Sequence, residues 1–261
     1  MITFYNLKIY RNSMKMQEFK YDTFNIIYPE VYSQFLREVF IFDVYRAYLL
    51  KHNELVLDLG AGVGDFSILA SKKIGDKGKV IAIEPNPEDF ELLKSNIERN
   101  YCKNIIPLNL GVGNQPAEKK EITFWGRKFS CKIDILENVF DTLNIKDKVN
   151  FVKMDIEGFE TDVITKSIKI IKEANVISLE CHGTKEKLDK LLLPHGFYFR
   201  PINYTYYYKK MFRNLVSHPS YFFKTSIAIM RNNPSVLCKT ITGYNTAAQE
   251  ILMGSYIKQT S

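Results

Sequence analysis

The stretch Val56-Leu57-Asp58-Leu59-Gly60-Ala61-Gly62-Val63-Gly64-Asp65 constrains this chain more than any other. A short apolar run, Glu54–Leu59, stops at three glycines spaced G-x-G-x-G. Phe66, Ile68, Leu69 and Ile74 then recur at helical spacing over Asp65–Ile74. The pattern predicts a strand, a tight turn and a helix. Glycine allows both the turn and a close approach of ligand to backbone. A second predicted strand, Lys79–Glu84, ends in an acid twenty residues past Gly64. A carboxylate there can accept hydrogen bonds from both hydroxyls of a ribose. Together the two features point to a ligand that contains adenosine.

Strands and helices alternate from this point to Pro201. Helices are expected at Pro87–Asn100, Ile133–Leu143, Gly158–Ala174 and Lys185–Leu193. Strands are expected at Asn104–Leu110, Val149–Asp155, Val176–Cys181 and Phe197–Pro201, with a hairpin-like excursion over Gly111–Phe124. Such alternation implies right-handed crossovers and an α/β fold: a Rossmann-like, mostly parallel sheet with helices on both faces. We divide the chain into a helical N-terminal extension (1–50), the Rossmann-like domain (51–203) and a basic, aromatic C-terminal appendage (204–261). Ligands of such sheets sit outside the carboxyl ends of the strands, so chemistry is sought just after each strand.

The residues there discriminate between cofactors. A dinucleotide site requires G-x-G-x-x-G/A, and its third small position is here Asp65. A carboxylate at that helix start opposes a pyrophosphate. Asp58 adds a further negative charge suited to a cationic group such as the ammonium of a methionine. S-Adenosylmethionine, with an ammonium, a sulfonium and a ribose, matches; a nicotinamide dinucleotide does not. The expected cofactor-binding set is Asp58, Gly60, Ala61, Gly62, Gly64, Asp65, Phe66, Glu84, Pro85, Asn109, Gly111 and Asp155. Asn109 and Gly111 enter it as the wall against adenine.

The segment Val56–Ser67 resembles the first motif of class I methyltransferases, and Ile83-Glu84-Pro85-Asn86-Pro87 resembles the second. Lys153-Met154-Asp155-Ile156-Glu157-Gly158-Phe159-Glu160 is similar to the signature of the FkbM-type methyltransferases, and Leu179-Glu180-Cys181-His182 resembles the pattern after that family's next strand. The resemblance spans about Leu55 to Arg200. It implies the class I methyltransferase fold and S-adenosylmethionine-dependent methylation of an oxygen, commonly a sugar or natural-product hydroxyl. After Pro201 the chain matches no pattern of the family.

Asp155, Glu157 and Glu160 follow one predicted strand; Glu180 and His182 end the next. Methyl transfer from a sulfonium requires alignment of acceptor oxygen, methyl and sulfur, and removal of the acceptor proton. Asp155, Glu157 and His182 are the expected catalytic residues. Asp155 is the first choice for contact with cofactor or acceptor, and His182 is a base or a substrate-orienting group. Glu160, in the first turn of a helix, suits a structural role as well as a catalytic one. Lys153 is expected to neutralise a neighbouring acid. Asp155, Glu157, Glu180 and His182 can in principle hold a hard divalent ion, but spacing alone does not establish it, and no metal is expected.

Charge is distributed unevenly. From Gly183 onward eleven basic residues face three acids, a net +8 within a total of +7. Such asymmetry suits an anionic partner or a solvated basic face. Tyr204–Arg213 combines aromatic rings with cations, as surfaces that stack sugars or bases do, while Tyr221–Lys224 and Ile227–Arg231 suit peripheral contact with a membrane. All three stretches also suit a cap packed on the sheet. Nucleic acid is therefore a second acceptor reading, and a non-catalytic cofactor-binding scaffold a third, behind a glycan or small-molecule hydroxyl. The four cysteines, Cys102, Cys131, Cys181 and Cys238, form no C-x-x-C pair. No apolar run approaches the roughly 20 residues of a bilayer span, and no leader pattern opens the chain. The cytoplasm is the expected compartment.

Overall fold

The computed structural model describes residues 15–124, 127–202, 209, 216 and 251–259. The chain enters through a hairpin, β1 (Met16–Tyr21) and β2 (Phe24–Pro29). It continues through α1 (Ser33–Arg37), a π-helical turn at Glu38–Phe42 and a 3-10 turn at Ala47–Leu49. Then follow β3 (Leu55–Leu59), α2 (Asp65–Ile74), β4 (Lys79–Ile83), α3 (Pro87–Arg99) and β5 (Ile105–Leu108). A three-stranded excursion comprises β6 (Gly111–Val112), β7 (Ala117–Phe124) and β8 (Arg127–Asp134). The second half runs through α4 (Leu136–Thr142), β9 (Phe151–Met154), α5 (Glu160–Lys166), α6 (Ile168–Ile171), β10 (Val176–His182), α7 (Lys185–Leu192) and β11 (Phe197–Pro201). The last strand is β12 (Ile251–Lys258).

The central sheet has the order β11-β12-β10-β9-β3-β4-β5. β10, β9, β3, β4 and β5 pair in parallel; β12 is antiparallel to both its neighbours. This is the α/β, mostly parallel sheet expected. Every residue of β3 and β9 is buried, as strands covered on both faces must be. One face packs against the hairpin, α1, α2 and α3; the other packs against α4 to α7. After β3 the chain moves to β4 and β5, then returns across β3 to β9. The order reverses at β3, so a crevice opens at the carboxyl ends of β3, β4 and β9.

Three expectations about the elements are corrected. The extension over 1–50 is not uniformly helical: residues 16–29 form the hairpin, and the helical part is broken into short turns. Phe24 and Ile26 are buried at period two, and Asp22 takes a left-handed conformation in the turn. That short alternation was masked by the largely polar partner strand. Asn25 and Ile27 bond through both N–H and C=O to the side chains of Asn100, which caps α3, and Asn96 on α3, which satisfies the outer edge of β2 without another strand.

The second correction concerns the appendage. Residues 251–258 complete the central sheet, inserted between β10 and β11. Tyr256 is fully buried and donates to Asp189 Oδ1 at 2.6 Å; Ser255 and Ser178 pair at 2.9 Å. A side chain at Gly254 would collide with the ring of Phe199, its Cβ 2.3 Å away, so the strand is fitted to its neighbour. A boundary at 203 therefore divides one sheet. The Tyr204–Arg213 stretch, Lys209 aside, and the Tyr221–Lys224 and Ile227–Arg231 stretches lie outside the described residues.

Third, the helix expected from Ile133 begins at Leu136, because Ile133 and Asp134 pair with β6. The single helix expected over Gly158–Ala174 is split at Ser167, whose hydroxyl donates to Glu137. No helix among the described residues is long and apolar enough to cross a membrane. Cys102, Cys131 and Cys181 are buried free thiols.

Candidate active site

A cavity of ≈620 Å³ opens where the strand order reverses, within the range of roughly 300–1,000 Å³ usual for small-molecule sites. Its two ends are built differently.

One end is backbone. Gly60, Gly62 and Gly64 all have left-handed φ, at +78°, +53° and +90°. Gly60 turns hard against the end of β9: a Cβ there would sit 1.9 Å from the carbonyl oxygen of Asp155. A Cβ on Gly62 would meet nothing within 4 Å, because this glycine faces the cavity. Glu84 anchors the loop, accepting from the N–H of Gly62 at 2.7 Å and of Asn86 at 2.8 Å. Burial, reinforced by Asp89, pushes the Glu84 carboxyl up to about 8. Asp89 in turn accepts from Tyr32 at 3.0 Å and from Asn86 at 2.9 Å. Burial raises Asp65 to about 6, against the opposing pull of Lys153.

The other end is side chains from distant segments. Asp155, just past β9, accepts from the hydroxyl of Tyr45 at 2.9 Å. Glu157 and Gly158 are consecutive left-handed residues, at φ +53° and +96°. His182, at the end of β10, holds its Nδ1 2.9 Å from Glu160 Oε1 and its Nε2 3.4 Å from Glu157 Oε2. Burial lowers the pKa of His182, but the bond and charge of Glu160, with Glu180 and Glu157, push it up to about 9. Glu180 is held at about 8 by burial and by Asp155 and Glu38. Ligand atoms of Asp155, Glu157 and His182 also lie within 4.8 Å of one another, a spacing that a cation could span.

Of the residues expected to form the site, Gly60, Ala61, Gly62, Asp65, Glu84, Pro85, Gly111, Asp155, Glu157 and His182 line this cavity. Four do not. Asp58 is fully buried beneath the floor, 3.2 Å from Lys153 Nζ, with its other oxygen accepting from Ser67. It balances Lys153, which also donates to the carbonyl of Gly60, rather than meeting a ligand. Gly64 packs against Leu93. Phe66 is wedged between Tyr45 and Phe151. Asn109 turns back to bond the carbonyl of Glu84 at 2.9 Å. Sequence reasoning missed Tyr32, Glu38 and Tyr45 because they belong to the N-terminal segment, far in sequence from the glycine turn.

The donor set fits S-adenosylmethionine. The Glu84 carboxylate lies at the cavity wall as a two-oxygen acceptor for a ribose diol, with Ile83, Pro85 and Val112 as apolar surface for a base. Gly62 leaves open space at the backbone, and Asp65 and Asp155 provide negative charge for a cationic ligand.

Comparison with known proteins agrees. The model of the TRM5/TYW2 methyltransferase domain matches residues 43–122, and that of the methyltransferase FkbM domain matches residues 131–218. The chain is similar to S-adenosylmethionine-dependent methyltransferases, with the FkbM methyltransferase domain matched in its second half. Its cofactor is S-adenosylmethionine. Among relatives of this chain is the hexuronic acid methyltransferase AglP of Haloferax volcanii, 25% identical over 162 residues, covering 56% of this chain and 64% of that protein. Another is the tRNA (guanine(37)-N(1))-methyltransferase Trm5b of Methanocaldococcus jannaschii, 29% identical over 136 residues, 51% of this chain and 30% of that one. The chain thus spans less than two thirds of the length of these curated relatives. The solved structure of M. jannaschii TYW2 in complex with AdoMet is similar at a TM-score of 0.46 and 14% identity, over 95% of this chain and 89% of that one.

Proposed function

We propose that this protein transfers a methyl group from S-adenosylmethionine to a hydroxyl of a sugar, glycan or small molecule, in the reducing cytoplasm, with His182 as the base. The carrying observation is the contact of His182 with fully buried Glu160. With Nδ1–H donated to Glu160, Nε2 is the nitrogen left to face the cavity beside Glu157. When bound, the cofactor supplies an electrophilic methyl on a sulfonium and leaves as a neutral thioether. In its neutral form, with the one ring proton on Nδ1, His182 would take the acceptor hydroxyl's proton at Nε2. Glu160 stabilises the imidazolium that results. Asp155, fixed by Tyr45, orients the acceptor hydroxyl. Glu84, Gly62 and Asp65 hold the cofactor. A sugar acceptor is supported by the FkbM domain match and by the hexuronic acid methyltransferase among the relatives. The free buried thiols support a reducing compartment.

RNA is a second reading, favoured by the TRM5/TYW2 domain match. The acidic acceptor end counts against it: Glu38, Asp155 and Glu157 line the cavity and would repel phosphates. The test is transfer of labelled methyl from S-adenosylmethionine to a panel of neutral and acidic oligosaccharides and to unmodified tRNA. Label in an alkali-stable methyl ether, lost in His182→Gln by about 100-fold or more, is expected. Label in RNA alone, with binding that falls steeply as salt rises, overturns the sugar reading.

A further inference from the structure

We propose that Glu160 is a positioning residue for catalysis, one buried carboxylate that sets both the tautomer of His182 and the strained turn that presents Glu157. This rests on the reading of His182 as the base.

Glu160 is fully buried, yet no lysine or arginine pairs with it among the ion pairs of the described residues. A carboxylate removed from water is costly unless its oxygens are occupied. Here they are occupied by the site itself. Oε1 accepts from the N–H of Gly158 at 2.9 Å and from Nδ1 of His182 at 2.9 Å; Oε2 accepts from Thr184 at 3.4 Å.

The first bond stabilises an unfavourable backbone. Glu157 and Gly158 stand in succession at positive φ, and for a glutamate that costs about 1–2 kcal/mol. Turning the Gly158 N–H inward to Glu160 holds the conformation. Its consequence is the position of the Glu157 carboxylate, 3.4 Å from His182 Nε2. The second bond fixes the imidazole: a proton on Nδ1 is required to reach Glu160, so the exchangeable position is Nε2. The same oxygen thus joins two segments 22 residues apart in sequence, the turn after β9 and the end of β10. Glu160 lies behind His182 and is absent from the cavity lining, so it acts through its partners and not on the acceptor.

The test uses Glu160→Gln in the full chain, with labelled histidine followed by NMR against pH. The chain has four histidines, and the His182 resonance is assigned by its loss in His182→Gln. In wild type the midpoint is expected near 9. In Glu160→Gln it should fall to about the ordinary 6.5 or below, while the dissociation constant for S-adenosylhomocysteine stays within about twofold. Because the base is then weaker, the alkaline plateau of kcat should fall by about 10-fold or more, and the alkaline-rising limb of the rate should move to lower pH. The double variant should be no slower than His182→Gln alone. A folded Glu160→Gln protein whose His182 midpoint or rate matches wild type overturns the proposal. If His182→Gln is itself as fast as wild type, the base assignment falls instead; the NMR midpoint needs no acceptor and reports on Glu160 separately. Should glutamine at this buried position prevent folding, Glu160→Asp, which withdraws the carboxylate by one methylene, is read in the same way.

Discussion

The two ends of the cavity are specified by different means. The cofactor end is a contiguous backbone loop, Gly60–Asp65, held by the carboxylate of the adjacent strand end. The acceptor end is an assembly of side chains from the N-terminal segment, the turn after β9 and the end of β10. A backbone loop is dictated by sterics that local sequence carries. A side-chain assembly depends on tertiary packing that brings Tyr45 to Asp155, 110 positions apart. The first kind of site tolerates no Cβ where chain meets chain; the second depends on charge balance.

The largest effect should come from breaking that distinction within the glycine loop. Gly60→Ala places a methyl group against the Asp155 carbonyl in a left-handed conformation. It should destabilise the protein by about 3 kcal/mol or more, lowering Tm by roughly 6–12 °C for a domain of this size. Gly62→Ala meets no atom and bears only the strain of its φ, about 1–2 kcal/mol. It should stay folded and lose affinity for S-adenosylhomocysteine. Calorimetry on both variants separates the roles; equal losses of stability would show that Gly62 is also structural.

This contrast also explains what the sequence disclosed. Strand, turn and helix over Leu55–Ile74 are readable because apolar periodicity and glycine act locally. Glu84 was readable because an acid at a strand end has one obvious neighbour. Asp58 was misjudged: inside a parallel strand its side chain points into a layer, and only packing reveals that Lys153 of β9 meets it there. Tyr45 was unassigned for the same reason, and Glu160 was left between a structural and a catalytic role because only packing shows that it meets His182. The appendage was separated from the domain because nothing local in Ile251–Lys258 announces a partner 75 residues upstream, as Leu179 is to Gly254.

Within the cofactor end, Glu84→Gln sharpens the comparison. The amide keeps one acceptor oxygen and loses the charge. Both backbone N–H groups of the loop then compete for a weaker partner, and a ribose diol loses its charged acceptor. Affinity for S-adenosylhomocysteine should fall about 10- to 100-fold, equivalent to about 1.5–3 kcal/mol for hydrogen bonds to a charged group. His182→Gln, at the other end, should leave that affinity within about twofold. Isothermal titration of both variants decides whether the two ends are energetically separate; a comparable loss in His182→Gln would join them.

The smallest effect is a pair of slopes with opposite sign. Burial raises Glu84 to about 8, above its ordinary value of 4.5. The folded state therefore holds this proton where the unfolded state has released it. The contribution of Glu84 to the stability of the cofactor-free protein is fully present below about pH 4.5 and is lost as pH rises through about 8. His182, raised to about 9, adds a decline of the same sign from its ordinary 6.5 upward. Cofactor binding should run the other way across the Glu84 window, because the ionised carboxylate accepts the ribose hydroxyls better than the protonated one. Between pH 6 and 8, affinity for S-adenosylhomocysteine should rise severalfold while the Tm of the free protein falls. Glu84→Gln should flatten the binding slope and leave only the part of the stability slope that His182 and other groups contribute. A binding slope that persists in Glu84→Gln would move the titrating group elsewhere, with Asp65, raised to about 6 at the same end, as the next residue to exchange.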